Sequence, residues 1–318
     1  MSITPNAELA RSAISKAIVD LAALAPGGIM ANAQSLELQE IMTKTSKLLG
    51  LINYRTMVKP KEEINQTLLD DLVLHPVAES AALLPAQYAV PTYSKVILDP
   101  VEYAAEMRAS GRALMDSIEN GNLRQHLMGM LAKKTKSSME KIVIQSDTAL
   151  GAGDLAAMDG ILKQATDHQV DLEDQQPDED TFYEVLLGMP QQFRQDKSEL
   201  TFFTSQDAEE RYRKSLKNRF GSFGDQFITG SADTRGAGVG VVGVPYFPEN
   251  IGTGTHCTDL LLTNPMNIHV GVWKDFDLKT DENISTNELI IVIRCRFDVK
   301  IEVTDATALG INLRVIKG

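Results

Sequence analysis

Cysteine is nearly missing from this chain of 318 residues, which has only Cys257 and Cys295. No disulfide framework can be read from two cysteines; reduced, buried thiols are the expectation, with a bridge as the alternative. Long apolar runs are missing as well. No stretch approaches the ~18 apolar residues that a membrane helix needs, and the first residues show no positive segment followed by an apolar core, so no membrane partner and folding in the cytoplasm of the producing cell are expected. Basic residues are in deficit, 31 Lys and Arg against 43 Asp and Glu, a formal net charge of -12. This argues against tight wrapping of nucleic acid, which relies on cations displacing counterions from phosphates.

Motifs of chemistry are equally sparse. His75, His126, His168, His256 and His269 are scattered without HxxxH or CxxC spacing, and there is no GxSxG elbow or Walker loop. Gly238-Val239-Gly240-Val241-Val242-Gly243 matches the dinucleotide fingerprint GxGxxG. That motif needs a helix opening at the glycines to receive a pyrophosphate, whereas Val244-Pro245-Tyr246-Phe247-Pro248 follows, whose two prolines and β-formers cannot open a helix, and a flexible loop running into a strand is expected. A nucleotide-dependent enzyme is therefore the remote alternative. His256-Cys257 is no thiolate pair, because adjacent side chains on extended chain point to opposite faces. No catalytic residue, metal ligand or cofactor is expected.

What is present is enough apolar material, 43% of residues, to build a core. Residues 4 to 50 carry two helical stripes, Ala10, Ile14, Ala17, Ile18, Leu21 and then Leu36, Leu38, Ile41, Leu48, split by Pro26-Gly27-Gly28. They form either an arm that completes its burial elsewhere or an ordinary helical hairpin. From Met57 to Val96 the chain is broken by Pro60, Pro76, Pro85 and Pro91, and no Lys or Arg occurs between Glu63 and Ser94. Too proline-rich for a helix and too apolar for a solvated linker, it should lie on another surface.

Lys95 to Ser110 reads as a strand, followed by a short helix closed by Asn120-Gly121. A long helix runs over 122–145, with Leu123, Leu127, Met130, Leu131, Met139, Ile142 and Val143 at three- and four-residue steps and lysines mostly off that stripe. Residues 167 to 184 hold eight Asp or Glu and no Lys or Arg; they lack an EF-hand's spacing and glycine, so a solvated rim is the favoured reading and calcium binding the remote rival. Pro177 and Asp178 open the next helix, and Thr204 or Ser205 caps another over 206–217. Residues 221–243 are glycine-rich and flexible in composition. Strands are expected over 200–203, 241–246, 259–263, 268–272, 289–303 and 310–316. In the longest, Ile293, Cys295, Phe297, Val299, Ile301 and Val303 alternate with Arg294, Arg296, Asp298, Lys300 and Glu302, one face buried and one wet. The fold class is α+β with a mixed or antiparallel sheet.

Several stretches resemble the tailed-bacteriophage major capsid proteins of the Hong Kong 97-like fold. Glu106-Met107-Arg108-Ala109-Ser110-Gly111-Arg112-Ala113-Leu114-Met115-Asp116 is similar to that family's junction before its spine helix, and Ala157-Met158-Asp159-Gly160-Ile161-Leu162 to the segment after it. Leu187-Gly188-Met189-Pro190-Gln191-Gln192-Phe193-Arg194 with Leu200-Thr201-Phe202-Phe203-Thr204-Ser205, then Gly243-Val244-Pro245-Tyr246-Phe247-Pro248, then Leu261-Leu262-Thr263-Asn264-Pro265-Met266-Asn267-Ile268-His269-Val270-Gly271 follow in the family's order. The resemblance spans nearly the whole chain, and it is the shared order that carries it, since each motif alone is loose.

The resemblance implies an N-terminal arm (1–56), an extended β-hairpin loop (57–96), a peripheral domain (97–203 and 286–318) with spine helix 122–145, and an axial domain (204–285). Leu74, Val77, Leu83, Leu84, Tyr88, Val90 and Tyr93 would contact neighbouring subunits, and Phe220, Phe223, Phe227 and Arg235 would sit in a loop at the capsomer centre. It implies a virion protein, without enzymatic activity, that self-assembles as hexameric and pentameric capsomers into an icosahedral head. The head would enclose double-stranded DNA without sequence-specific binding. A separate scaffolding protein, a portal and a decoration protein are the implied partners. With no lysine between Glu63 and Ser94, the shell is expected to be non-covalent. An encapsulin-like nanocompartment, which shares the fold, is the nearer alternative.

Overall fold

The computed structural model describes residues 47–68, 74–76, 83, 88, 91–110, 123–219, 234–251, 256–273, 276–283 and 285–315. The expected helices of the arm up to residue 46, and the short helix before Asn120, lie outside them.

The strictest alternation in the sequence becomes the longest strand, β12 (Glu288–Ile301), and a five-stranded sheet is built around it. Leu289, Ile291, Ile293, Cys295, Phe297, Val299 and Ile301 are buried, as a period of two requires of a half-buried strand. One edge of β12 pairs antiparallel with β4 (Val101–Ser110). The other takes β11 (Asp277–Asn283) and then β10 (Ile268–Trp273), and β10 pairs in parallel with β1 (Asn53–Met57). Two expectations are corrected here. The strand ends at Ile301, short of Val303, because Asn267 accepts from the Val303 N–H and donates to its carbonyl, both at 2.8 Å. Asp298, expected on the wet face, is buried, where its carboxylate accepts from the Asp99 and Val299 N–H groups at 2.8 Å.

A six-stranded sheet runs in the order β5 (Gln169–Asp171), β13 (Thr307–Arg314), β9 (Cys257–Thr263), β6 (Thr201–Ser205), β8 (Val239–Val244), β7 (Arg235–Gly236). Every residue of β9 is buried, since both faces of the sheet are covered. On one face lie α3 (Glu179–Gly188) and α4 (Gln206–Arg219), whose Phe182, Val185, Leu186, Tyr212 and Leu216 pack with Phe202, Leu260 and Leu262. On the other, Phe203, Leu261 and Leu309 join the core shared by the five-stranded sheet and the long helix α1 (Leu123–Gln145). At about 1.5 Å per residue, the 23 residues of α1 span about 35 Å. Short α2 (Ile161–Gln164) fills the space between α1 and β12.

The acidic segment opens α3 as expected, with Thr181 Oγ1 accepting from the Asp178 N–H. Of the two capping candidates for α4, Ser205 caps: its Oγ accepts from the Ala208 N–H at 3.2 Å, while Thr204 donates to the Asp259 carbonyl. In α1 the buried stripe is Met128, Leu131, Met139, Ile142 and Val143; Met130, expected within it, is 49% exposed. The single strand expected over 95–110 is two, β3 (Thr92–Leu98) and β4, broken at Asp99-Pro100, where proline lacks an N–H for a ladder.

The sheets also divide the chain differently from the boundaries expected for domains. Segments 169–171 and 307–314, from stretches expected to be peripheral, share the six-stranded sheet with 201–205, 235–244 and 257–263. Ile268–Trp273 and Asp277–Asn283, expected to be axial, belong to the five-stranded one.

Candidate assembly surfaces

Standing off both sheets, β2 (Glu62–Leu68) and β3 form an antiparallel ribbon, paired from Glu62↔Leu98 to Leu68↔Thr92. One face, with Ile64, Gln66 and Leu98, turns inward. The other carries Asn65, Thr67, Tyr93, Lys95 and Ile97 into solvent. A two-stranded ribbon is marginal in water without further packing. Its root is held by a small cluster of Met57, Ile64 and Leu98, with Val96 and Trp273 beside them. Gly271 makes this close approach possible: a Cβ there would lie 2.7 Å from Met57 Sδ and 2.9 Å from Leu98 Cδ1. The Asp298 carboxylate fixes the turn at Asp99. Lys61–Asp99 and Lys95–Glu63, both at 2.7 Å, are exposed ion pairs of small energetic weight. They also place the lysines at the ends of the 57–96 segment beside carboxylates.

Beyond the root, four apolar side chains among the described residues are open to solvent. Leu74 is 86% exposed, Tyr93 72%, Tyr88 57% and Leu83 39%, so four of the expected contact residues are solvent-facing in the isolated chain. Val77, Leu84 and Val90 lie outside the described residues. Ile97 and Val58 are exposed too and were missed, although Ile97 follows from β3's alternation with Tyr93 and Lys95. Of the expected central loop, Phe220, Phe223 and Phe227 lie outside the described residues. Arg235 is exposed at the start of β7, its carbonyl accepting from Tyr212 Oη at 2.8 Å.

The residues weighed for chemistry are built into the fold. The glycine-rich hexapeptide is a strand: Ala237 (φ 52°) and Gly238 (φ 87°) make the left-handed turn between β7 and β8, and no helix opens there. The rest of the segment expected to be flexible, 234–243, is therefore ordered. Cys257 is buried with Sγ 3.2 Å from Asp174 Oδ1, and burial pushes its thiol up to about 11; burial likewise carries Cys295 to about 12. Both shifts run opposite to a reactive thiolate. His256 is exposed while Cys257 points inward, so the two do not meet. His269 is buried with Nε2 2.6 Å from Glu302 Oε2. Among the described residues no three His, Cys, Asp or Glu side chains converge as metal ligands.

No protein-family model matches the chain. A Bacillus subtilis (strain 168) protein named as a prophage capsid protein, YqbE, is 28% identical over 299 residues, covering 93% of this chain and 96% of that one. Among solved structures, the capsid of an empty GTA particle matches with a TM-score of 0.60 at 14% identity, covering 85% of this chain and 90% of that one. The SrpI encapsulin of Synechococcus elongatus PCC 7942 matches with a TM-score of 0.55 at 12% identity, over 85% and 88%. The solved structures share the fold, the prophage relative aligns along nearly its full length, and the ribbon, long helix and paired sheets stand in the expected order: the chain has the Hong Kong 97-like fold of the capsids it matches and is similar in sequence to a prophage capsid protein.

Proposed function

We propose that the chain assembles as hexamers and pentamers into a non-covalent phage head that encloses double-stranded DNA, and that it performs no catalysis. The carrying observation is the 57–96 segment, whose apolar side chains at Leu74, Leu83, Tyr88 and Tyr93 are exposed in the single chain. Large obligate interfaces bury such surface, and a neighbouring copy is the partner that a self-assembling tile supplies. Subunits assemble in the host cytoplasm around a separate scaffold, and portal and decoration proteins complete the virion. The six-stranded sheet with α3 and α4 forms the axial unit, Arg235 approaching the capsomer centre; the five-stranded sheet with α1 forms the peripheral one. The acidic balance suits a container wall that holds DNA without gripping it.

Expression of the chain with its scaffold, followed by electron microscopy, tests this. Round particles of uniform size are expected, and a dilute, compact, stable monomer with the ribbon folded into its own core overturns it. Nucleic acid inside purified particles, with no packaged protein cargo, separates a phage head from an encapsulin compartment. Boiling in detergent yields the monomer band alone if the shell is non-covalent; a ladder of larger species overturns that part.

A further inference from the structure

The six-stranded sheet ends in two unlike edges. At one end β5 pairs only with β13, over three residues, and the chain around it is acidic: Asp167, Asp171, Glu173 and Asp174, within a stretch of eight carboxylates and no Lys or Arg. Asp171 is fixed there by Asn312 Nδ2 at 3.0 Å, and Arg314 answers Asp174 loosely at 3.9 Å. Glu173 is exposed. At the other end β7 covers β8 only at Arg235↔Gly240 and Gly236↔Val239, and beyond Val241 no described strand pairs with the outer edge of β8. A cleft of about 420 Å³ opens along that edge, lined by Lys47, Leu51, Arg213, Arg235 and the backbone from Gly240 to Gly243. Glu209 is its one carboxylate, and it is spent on Arg213 at 2.8 Å. Lys197 adds a further cation nearby, donating to the Ala237 carbonyl at 3.2 Å.

We infer that in a capsomer the acidic β5 edge of one copy seats against the basic β7–β8 edge of the next, Asp171 and Glu173 facing Arg235, Lys197 and Lys47. Complementary patches at opposite ends of one sheet make a head-to-tail contact, and head-to-tail contacts are the kind that close into rings. Two such patches on the same face would instead favour an isolated two-fold dimer. Opposite charge steers copies into register, while like edges repel, so a subunit cannot enter the ring reversed. The two outermost strands, β5 and β7, are very short, which limits indiscriminate edge pairing outside the ring.

The inference rests on the shell reading, and its test is separable from that reading. If the unaltered protein forms no particles, the shell reading fails; the edge contact is tested only against unaltered protein that assembles. Glu173→Lys and Arg235→Glu are each expected to lower particle yield about tenfold, the effect of roughly 1.4 kcal/mol at one contact. The double variant E173K/R235E, which restores opposite charge across the contact, is expected to recover most of it. Thermal unfolding of the unassembled variants should stay at the unaltered value, since both side chains are exposed. Unchanged yield in either folded single variant, or a double variant no better than the singles, overturns the contact. Should a reversal unfold the chain, Glu173→Gln and Arg235→Gln carry the test: about threefold loss of particles supports the contact and full assembly overturns it.

Discussion

The ribbon β2–β3 and the strand β9 are both β-structure rich in aliphatic side chains, yet they stand at opposite ends of self-sufficiency. β9 is covered on both faces, with Leu260, Leu261 and Leu262 at 0% exposure. The ribbon buries Ile64 and Leu98 at its root and leaves Tyr93 and Ile97 in water. The difference lies in what each strand finds within its own chain: β9 sits between two helices and a second sheet, whereas the ribbon's Ile64, Val96 and Leu98 pack on Met57 and Trp273 in a small cluster apart from the two main cores. If the ribbon serves the proposed assembly, folding stability and assembly rest on different parts of the molecule, and substitutions should separate them.

The largest effect is expected in the twice-covered sheet. Phe202 is fully buried and edge-on to Phe182, ring centroids 5.0 Å apart. Phe202→Ala should cost about 3–5 kcal/mol, the range for deleting a buried aromatic ring, and chemical denaturation of the unassembled chain measures it. A loss below about 1 kcal/mol would mean that this sheet is no better packed than the ribbon. A pH dependence should come from the same place. Asp259 lies on the fully buried strand, and burial raises its carboxyl from the ordinary carboxylate range to about 7. The folded chain then binds more protons than the unfolded chain between about pH 4 and pH 7, so stability falls as pH rises through that window and stays low above it. The contribution is at most about 4 kcal/mol. Asp259→Asn should flatten the slope in denaturation midpoints measured from pH 5 to pH 8; an unchanged slope sinks the assignment.

A smaller effect is expected where the two regions meet. In Gly271→Ala the new Cβ would press on Met57 and Leu98 at the ribbon root, and relief requires the ribbon to shift. About 1–3 kcal/mol of destabilisation is expected, typical of overpacking, with particle yield falling further than stability does because the ribbon is displaced from its aim. Equal loss in both measurements would show that the root serves folding alone.

Much of the buried architecture was legible because local pattern and final environment agree there. β12 alternates as its sequence does, apart from Asp298, and α1 runs over Leu123–Gln145 where the three- and four-residue spacing placed it over 122–145. What escaped reading depends on distant partners. Asp298 reads as a wet-face residue, and its burial follows from a backbone donor, Asp99, 199 residues away in sequence. β11, Asp277–Asn283, is polar throughout its second half and signals no strand; it exists because β12 offers a free edge. Val96, Leu98, Val101, Tyr103 and Met107 read as the apolar members of one strand; Pro100 among them marks a break, but that the two halves join a ribbon and a sheet shows only in the pairing. Of the candidate contact residues, Leu74, Leu83, Tyr88 and Tyr93 were picked from a regional property, apolar chain too proline-broken to form a core, and they are exposed. That property does not specify register, and so Ile97 was missed.

The smallest effect on folding is also the most telling. Tyr93→Ser with Ile97→Ser alters two side chains on the ribbon's outer face, 72% and 48% exposed and outside the buried core clusters. Stability of the unassembled chain should change by no more than about 0.5 kcal/mol, as for other exposed positions. Particle formation, by contrast, should be largely lost, because serine removes the apolar area that a neighbouring copy would cover. The two measurements pull apart only if that face is used between copies. A clear loss of monomer stability would instead mean that the ribbon folds back on its own chain, and normal shells from the double variant would mean that its outer face is left open in the lattice.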